Sequence, residues 1–119
     1  MLPLTAERLA QLRGDAALER ETMLERRVRG GQDPAIAVEE VPEVDDFVVH
    51  TLRDELLEAD GRLAEFGLAR LAARAGGPDA DEHRRNADRV EFELLRQIAA
   101  AAPDLTVAVW RAGAHLAAD

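Results

Sequence analysis

Residues 45–75 read DDFVVHTLRDELLEADGRLAEFGLARLAARA, and this stretch decides the fold. Val48, Leu52, Leu56, Ala59, Leu63 and Phe66 step by three or four positions. That spacing places all six on one side of a helix. Asp60-Gly61 is a turn dipeptide in the middle of the run. The stripe nevertheless keeps its phase across it. The spacing therefore predicts one long helix from Asp45 or Asp46 to Ala75, with two helices as the alternative. Gly76-Gly77-Pro78 stops it.

The flanking segments carry the same signature. Asp79 or Asp81 caps a helix running to about Ala102, where Pro103 ends it. Its core face is Ala87, Val90, Leu94, Ile98 and Ala101, widened by Phe92 and Leu95. Upstream, Thr5 is the N-cap of a helix reaching about Val28, with Gly30-Gly31 as its stop. Gly14-Asp15 is the one point at which that helix could divide into two pieces. Residues 32–44, with Pro34 and Pro42, read as a connector in which 36–41 suits a short extended stretch. From Asp104 to Leu116 the pattern suits a helix with Leu105, Val109, Ala112 and Leu116 on one side. A strand over 106–111 is the alternative, because Thr106 to Trp110 is alternating and rich in β-branched residues.

The expectation is an all-α fold: a three- to four-helix bundle, or a long helical hairpin with a short C-terminal helix. Residues 1–119 are expected to form a single helical domain. The least amphipathic part, 1–31, suits an N-terminal helix that packs on another subunit.

Composition narrows the chemistry. There is no Cys, Lys, Ser or Tyr in the 119 residues. Thiolate metal sites, Schiff bases, a phosphate-loop lysine and a serine triad are thereby excluded. The eight glycines form no G-x-G pattern. Net charge is −9, and residues 32–60 carry it all, with ten acids against one Arg. Nucleic-acid backbone and anionic membrane surfaces are unfavourable partners for such a chain. A basic protein or a cation is favoured. Met1-Leu2-Pro3-Leu4 meets charge at Glu7 and Arg8 without the apolar run of a signal peptide, so a cytoplasmic setting is expected.

Several clusters could carry chemistry. Asp46, His50, Asp54 and Glu58 recur every fourth residue, on the face nearly opposite the Val48–Phe66 stripe. They read as a solvated acidic face. His83 aligns with Ala87, Val90 and Leu94, and Glu91 also falls in the apolar arc. The two suit an acid–base pair. Equally, Glu91 suits an ion pair with an Arg across the helix interface. Glu55-x-x-Glu58 and Asp88-x-x-Glu91 each offer two acids one helical turn apart. Sets of this kind build di-metal carboxylate cages in all-α nucleotide pyrophosphatases and ferritin-like proteins. The match stops short of either family. No Glu stands three residues before His50, His83 or His115, and the second acid pair is in reversed order. A divalent-metal site here would use Glu55, Glu58, His83 and Glu91.

The acidic run Glu39, Glu40, Glu43, Asp45 and Asp46 lacks the spacing and central Gly of a calcium loop. It suits either pairing with the Arg26–Arg29 cluster or docking of a basic partner. Trp110, the only Trp, is followed by Arg111, a pairing of residue types enriched at interface hot spots. Its segment is apolar nearly all round except at Arg111 and His115. Such a helix is buried in a core or lies between chains.

Three functions follow from these clusters. The first is a non-catalytic, oligomeric interaction or regulatory module, using the acidic strip, Trp110 and Arg111 and needing no cofactor. The second is the metal-binding bundle with hydrolase activity. The third is a ligand sensor whose pocket is lined by Phe66, Phe92, Trp110 and small Ala residues.

Overall fold

The helix expected over 45–75 divides at Gly61, in a computed structural model that describes residues 4–59, 61–114 and 116. Met1 to Pro3, Asp60 of the turn dipeptide, and His115 lie outside the described residues, as does the side chain of Leu63 in the stripe. α3 spans Val44–Ala59 and α4 spans Leu63–Ala75. Gly61 takes φ +68. Its N–H donates to the Glu58 carbonyl (3.0 Å), and the Arg62 N–H donates to the Leu57 carbonyl (2.8 Å). These are the two bonds of a Schellman helix end, which needs one left-handed residue. A non-glycine residue would strain that position.

The single-helix expectation is therefore corrected, and the reason is physical. An in-phase stripe records which side chains are buried, not whether the axis continues. Leu57 before the turn and Phe66 after it share one core cluster with Ala87 and Leu94. Gly61→Ala is expected to destabilise the fold by about 1 kcal/mol through backbone strain alone, since a Cβ there meets nothing within 4 Å. Gly67→Ala, inside α4 and also in open space, should instead stabilise by roughly 0.5–1 kcal/mol. Thermal unfolding followed by circular dichroism separates the two; equal effects would remove the strain argument.

Residues Pro3–Val48 form one compact unit, and the other begins at Val49, within α3. In the first unit, α1 spans Ala6–Arg29 without a break at Gly14. Thr5 caps it, its hydroxyl accepting from the Arg8 N–H (3.0 Å). A second Schellman end closes α1: Gly31 at φ +97 donates to Val28, and Gln32 to Arg27. The connector beyond is not extended. Asp33 accepts from the Ala35 N–H at 2.8 Å, and Pro34 begins helix α2, Pro34–Glu40. A capping carboxylate followed by proline at the first helical position outweighs the β-branched residues behind it. This overturns the extended reading of 36–41.

In the second unit, α4 packs along α5, Ala80–Ala101. Around the shared cluster lie the partly buried Leu56, Ala69 and Val90. Below it Leu95, Ile98, Ala102 and Leu105 are buried. Pro103–Leu105 is a 3-10 turn, and α6 spans Thr106–Ala112. The strand alternative over 106–111 is thus corrected to helix. The described residues contain no strand that could satisfy its backbone groups. Thr106 instead bonds the Pro103 carbonyl at 2.6 Å. The fold is all-α, six helices and one 3-10 turn among the described residues. None of the described helices is long and apolar enough to cross a membrane.

Candidate functional site

Glu91, only 3% exposed, is the buried charge among the described residues of the second unit. The α5 spacing that buries Ala87, Leu94 and Ile98 carries it inward as well. Its Oε1 accepts from Arg53 Nη1 on α3 (2.9 Å), and its Oε2 from Arg70 Nη1 on α4 (3.4 Å). One carboxylate thereby ties three helices together. Both guanidinium groups also lie over the Phe66 ring, at 5.8 and 5.6 Å from its centroid. Arg53 Nη2 is 2.9 Å from His50 Nδ1, and His50 Nε2 is 3.4 Å from Asp54 Oδ2. Arginine can only donate, so Nδ1 accepts and the Nε2–H tautomer of His50 faces Asp54. Of the two roles open to Glu91 on sequence, the structure has the ion pair across the helix interface.

The proposed metal ligands do not converge. Glu55 and Glu58 are exposed on α3, and His83 is half-buried near the start of α5. His83 and Glu91 are eight residues apart, about 12 Å along one helix. That separation is too large for a direct acid–base pair. No cluster of three or more His, Asp or Glu suited to a metal ion occurs among the described residues. The face opposite the stripe is as solvated as its position implies, with His50 and Glu58 exposed and Asp46 and Asp54 partly so.

The acidic strip is largely engaged within its own unit. Asp45 takes Arg13 in a two-bond pair, 3.0 and 3.3 Å. Glu40 takes Arg27 at 2.9 Å and Gln32 at 2.8 Å. Asp46 reaches back to the Glu43 N–H at 3.0 Å, closing the first turn of α3. Glu39 is exposed. Acids of this strip therefore close a helix turn and hold α1 arginines before they are available to a basic partner.

Trp110 gives the clearest candidate site. It is 76% exposed, so it is not a core residue. It stands on one wall of an open groove between α5 and α6, with a cavity volume of about 600 Å³. Phe92, Leu95 and Ala99 supply the α5 wall, and Val109, Trp110 and Leu116 much of the other. Phe92, expected to widen the core face, is instead 54% exposed, whereas Leu95 is buried. The helix turns explain the split. Leu95 and Val109 are buried where they line the groove, while Phe92 and Trp110 line it exposed to solvent. Gly113 lets the end of α6 approach α5 closely: a Cβ there would lie 3.3 Å from Leu95 Cδ1. Among the described residues, Arg96 is the charged one of the lining, its guanidinium 5.9 Å from the Phe92 ring centroid. Arg111 is exposed beside Trp110. Of the pocket expected between helices, Phe92 and Trp110 take part together with alanines, but Phe66 belongs to the α4–α5 core.

Leu68 and Leu71, 67% and 61% exposed on α4, were not among the sequence candidates. The signal was present: once α4 is a separate helix, apolar residues occupy both its sides. Arg53 and Arg70 were likewise missed as partners of Glu91, because pairing across helices leaves no spacing in the sequence. Comparison of the chain with protein-family models, curated proteins and solved structures finds no match.

Proposed function

We propose that this chain is a non-catalytic, cytoplasmic interaction module that works as a homo-oligomer and presents the α5–α6 groove to a partner. The observation that carries this reading is the only Trp standing 76% exposed at an open apolar groove. Burying a large apolar side chain is worth roughly 1.5–3 kcal/mol, and Trp is among the residues most enriched at binding hot spots. Exposed aromatic surface clustered in one groove, rather than scattered singly, is the signature of an interaction site.

The homo-oligomeric part rests on α4. Ala64, Leu68, Leu71 and Ala75 are all exposed and recur at helical spacing, while Phe66 and Ala69 face the core from the same helix. A helix apolar on both sides is normally covered on both. A second copy brings the same seam and covers it symmetrically. Catalysis has no support of comparable weight, since Glu91 is held by two arginines.

Native mass spectrometry of protein purified without chelators tests both parts. The expected result is a metal-free assembly of more than one chain. A Leu68→Glu, Leu71→Glu variant should give single chains with unchanged helical content. A wild-type protein that stays a single chain at every concentration withdraws the homo-oligomer. Stoichiometric metal would return the carboxylate reading, with Glu55, Glu58, His83 and Glu91 as the first residues to replace.

A further inference from the structure

We propose that the occupant of the α5–α6 groove is an amphipathic helix of a partner protein whose apolar face is flanked by carboxylates. The inference rests on reading the groove as an interface, and it adds the chemistry of what docks there. Two observations select that chemistry.

The first is shape. A cavity volume of about 600 Å³ falls within the range of small-molecule pockets, about 300–1,000 Å³. Such pockets, however, enclose most of their ligand. Here Trp110 on the wall is 76% exposed and the groove is partly open to solvent. An occupant that covers Trp110 and Phe92 together must bring its own bulk above the groove. A helix laid along the groove does this, setting side chains at i, i+3 or i+4, and i+7 between the two walls.

The second is charge. The chain carries −9, yet among the described residues the charged one lining the groove is Arg96, and Arg111 directly follows Trp110. Arg96 is held at the rim by its contact with the Phe92 ring. A helix seated on Phe92 would partly desolvate that guanidinium. A carboxylate on the occupant would then form a charge-assisted hydrogen bond to it, whereas a cation would meet like charge. The acidic surplus lies elsewhere, in residues 32–60. At physiological salt the screening length is about 8 Å, so the rim, not the net charge, sets the local preference.

Trp110 is the only Trp, so its emission reads the groove directly. The test titrates the full chain, at physiological ionic strength, with two synthetic amphipathic helices. They share one leucine face; one is flanked by Glu and the other by Lys. The Leu/Glu helix is expected to shift Trp110 emission to shorter wavelength, saturably. Arg96→Glu, at an exposed position, should weaken it about tenfold or more, because a like-charge repulsion replaces a charge-assisted hydrogen bond. The same variant should come to prefer the Leu/Lys helix. Equal or better binding of the Leu/Lys helix by the wild type overturns the charge assignment and leaves the groove as an interface. Indifference of binding to Arg96→Glu overturns it too. If neither helix moves Trp110, the groove is not a helix-docking interface. Should Trp110 emission shift with protein concentration alone, the occupant is a second copy and the proposal fails.

Discussion

Glu91→Ala is expected to cost about 3 kcal/mol of unfolding free energy, the lower end of what breaking a buried ion pair costs. Glu91 is 3% exposed, and the Arg53 side chain that meets it is 15% exposed. Removing the carboxylate leaves Arg53 largely buried without its main counter-charge. Its Nε is already a buried donor without a partner. Two features keep the loss from being larger. Asp54 remains 3.4 Å from Arg53, and Arg70 is exposed enough to turn toward water. Replacing both partners by apolar residues, Arg53→Met with Glu91→Leu, should recover most of the loss, because no unpaired charge is then left in the interior. Urea unfolding of the wild type, the single variant and the double variant checks this. A loss below about 1 kcal/mol for Glu91→Ala would put the pair with solvent-screened surface bridges.

Phe66→Ala should be at least as damaging, at about 3–5 kcal/mol, the usual cost of emptying a buried aromatic site. Phe66 packs with Leu57, Ala87 and Leu94, so the void would open where three helices meet. Its ring also carries Arg53 and Arg70 on its face. Phe66→Leu separates the two roles. It keeps most of the apolar volume and removes the π-face, so a smaller loss of about 1–2 kcal/mol is expected. Because the same two arginines hold Glu91, the Phe66→Ala and Glu91→Ala losses should sum to more than the double variant loses. A double-mutant cycle by urea unfolding measures the difference. Additivity within about 0.5 kcal/mol would show that ring and carboxylate act independently.

Helix existence was legible because it depends on short-range information. Thr5, Gly30-Gly31, Gly76-Gly77 and Pro103 act within one turn of backbone, and the apolar spacing of α5 names its buried side directly. The solvated character of the His50–Glu58 face followed from the same geometry. Short-range signals failed where two of them competed. In 45–75 the in-phase stripe outweighed Asp60-Gly61, although one left-handed glycine suffices to end a helix whose neighbours still share a core. At 36–41, β-branched residues suggested extension, but Asp33-Pro34 set the backbone first, whereas at 106–111 the expected helix forms directly after the Pro103 turn.

By itself, then, the sequence determined an all-α chain, the ends of most of its helices, the exclusion of thiol and lysine chemistry, and Trp110 with Arg111 as a candidate contact. Tertiary structure alone decided that Arg53 and Arg70 are the cations that meet Glu91. It also decided that Phe92 leaves the core to line one groove with Trp110, and that Leu68 and Leu71 stand exposed. The reason is one of range. Helix formation and capping are decided within a few residues of the chain. Which of two apolar sides a helix buries, and which cation meets a buried acid, depend on residues tens of positions away, brought together only by packing.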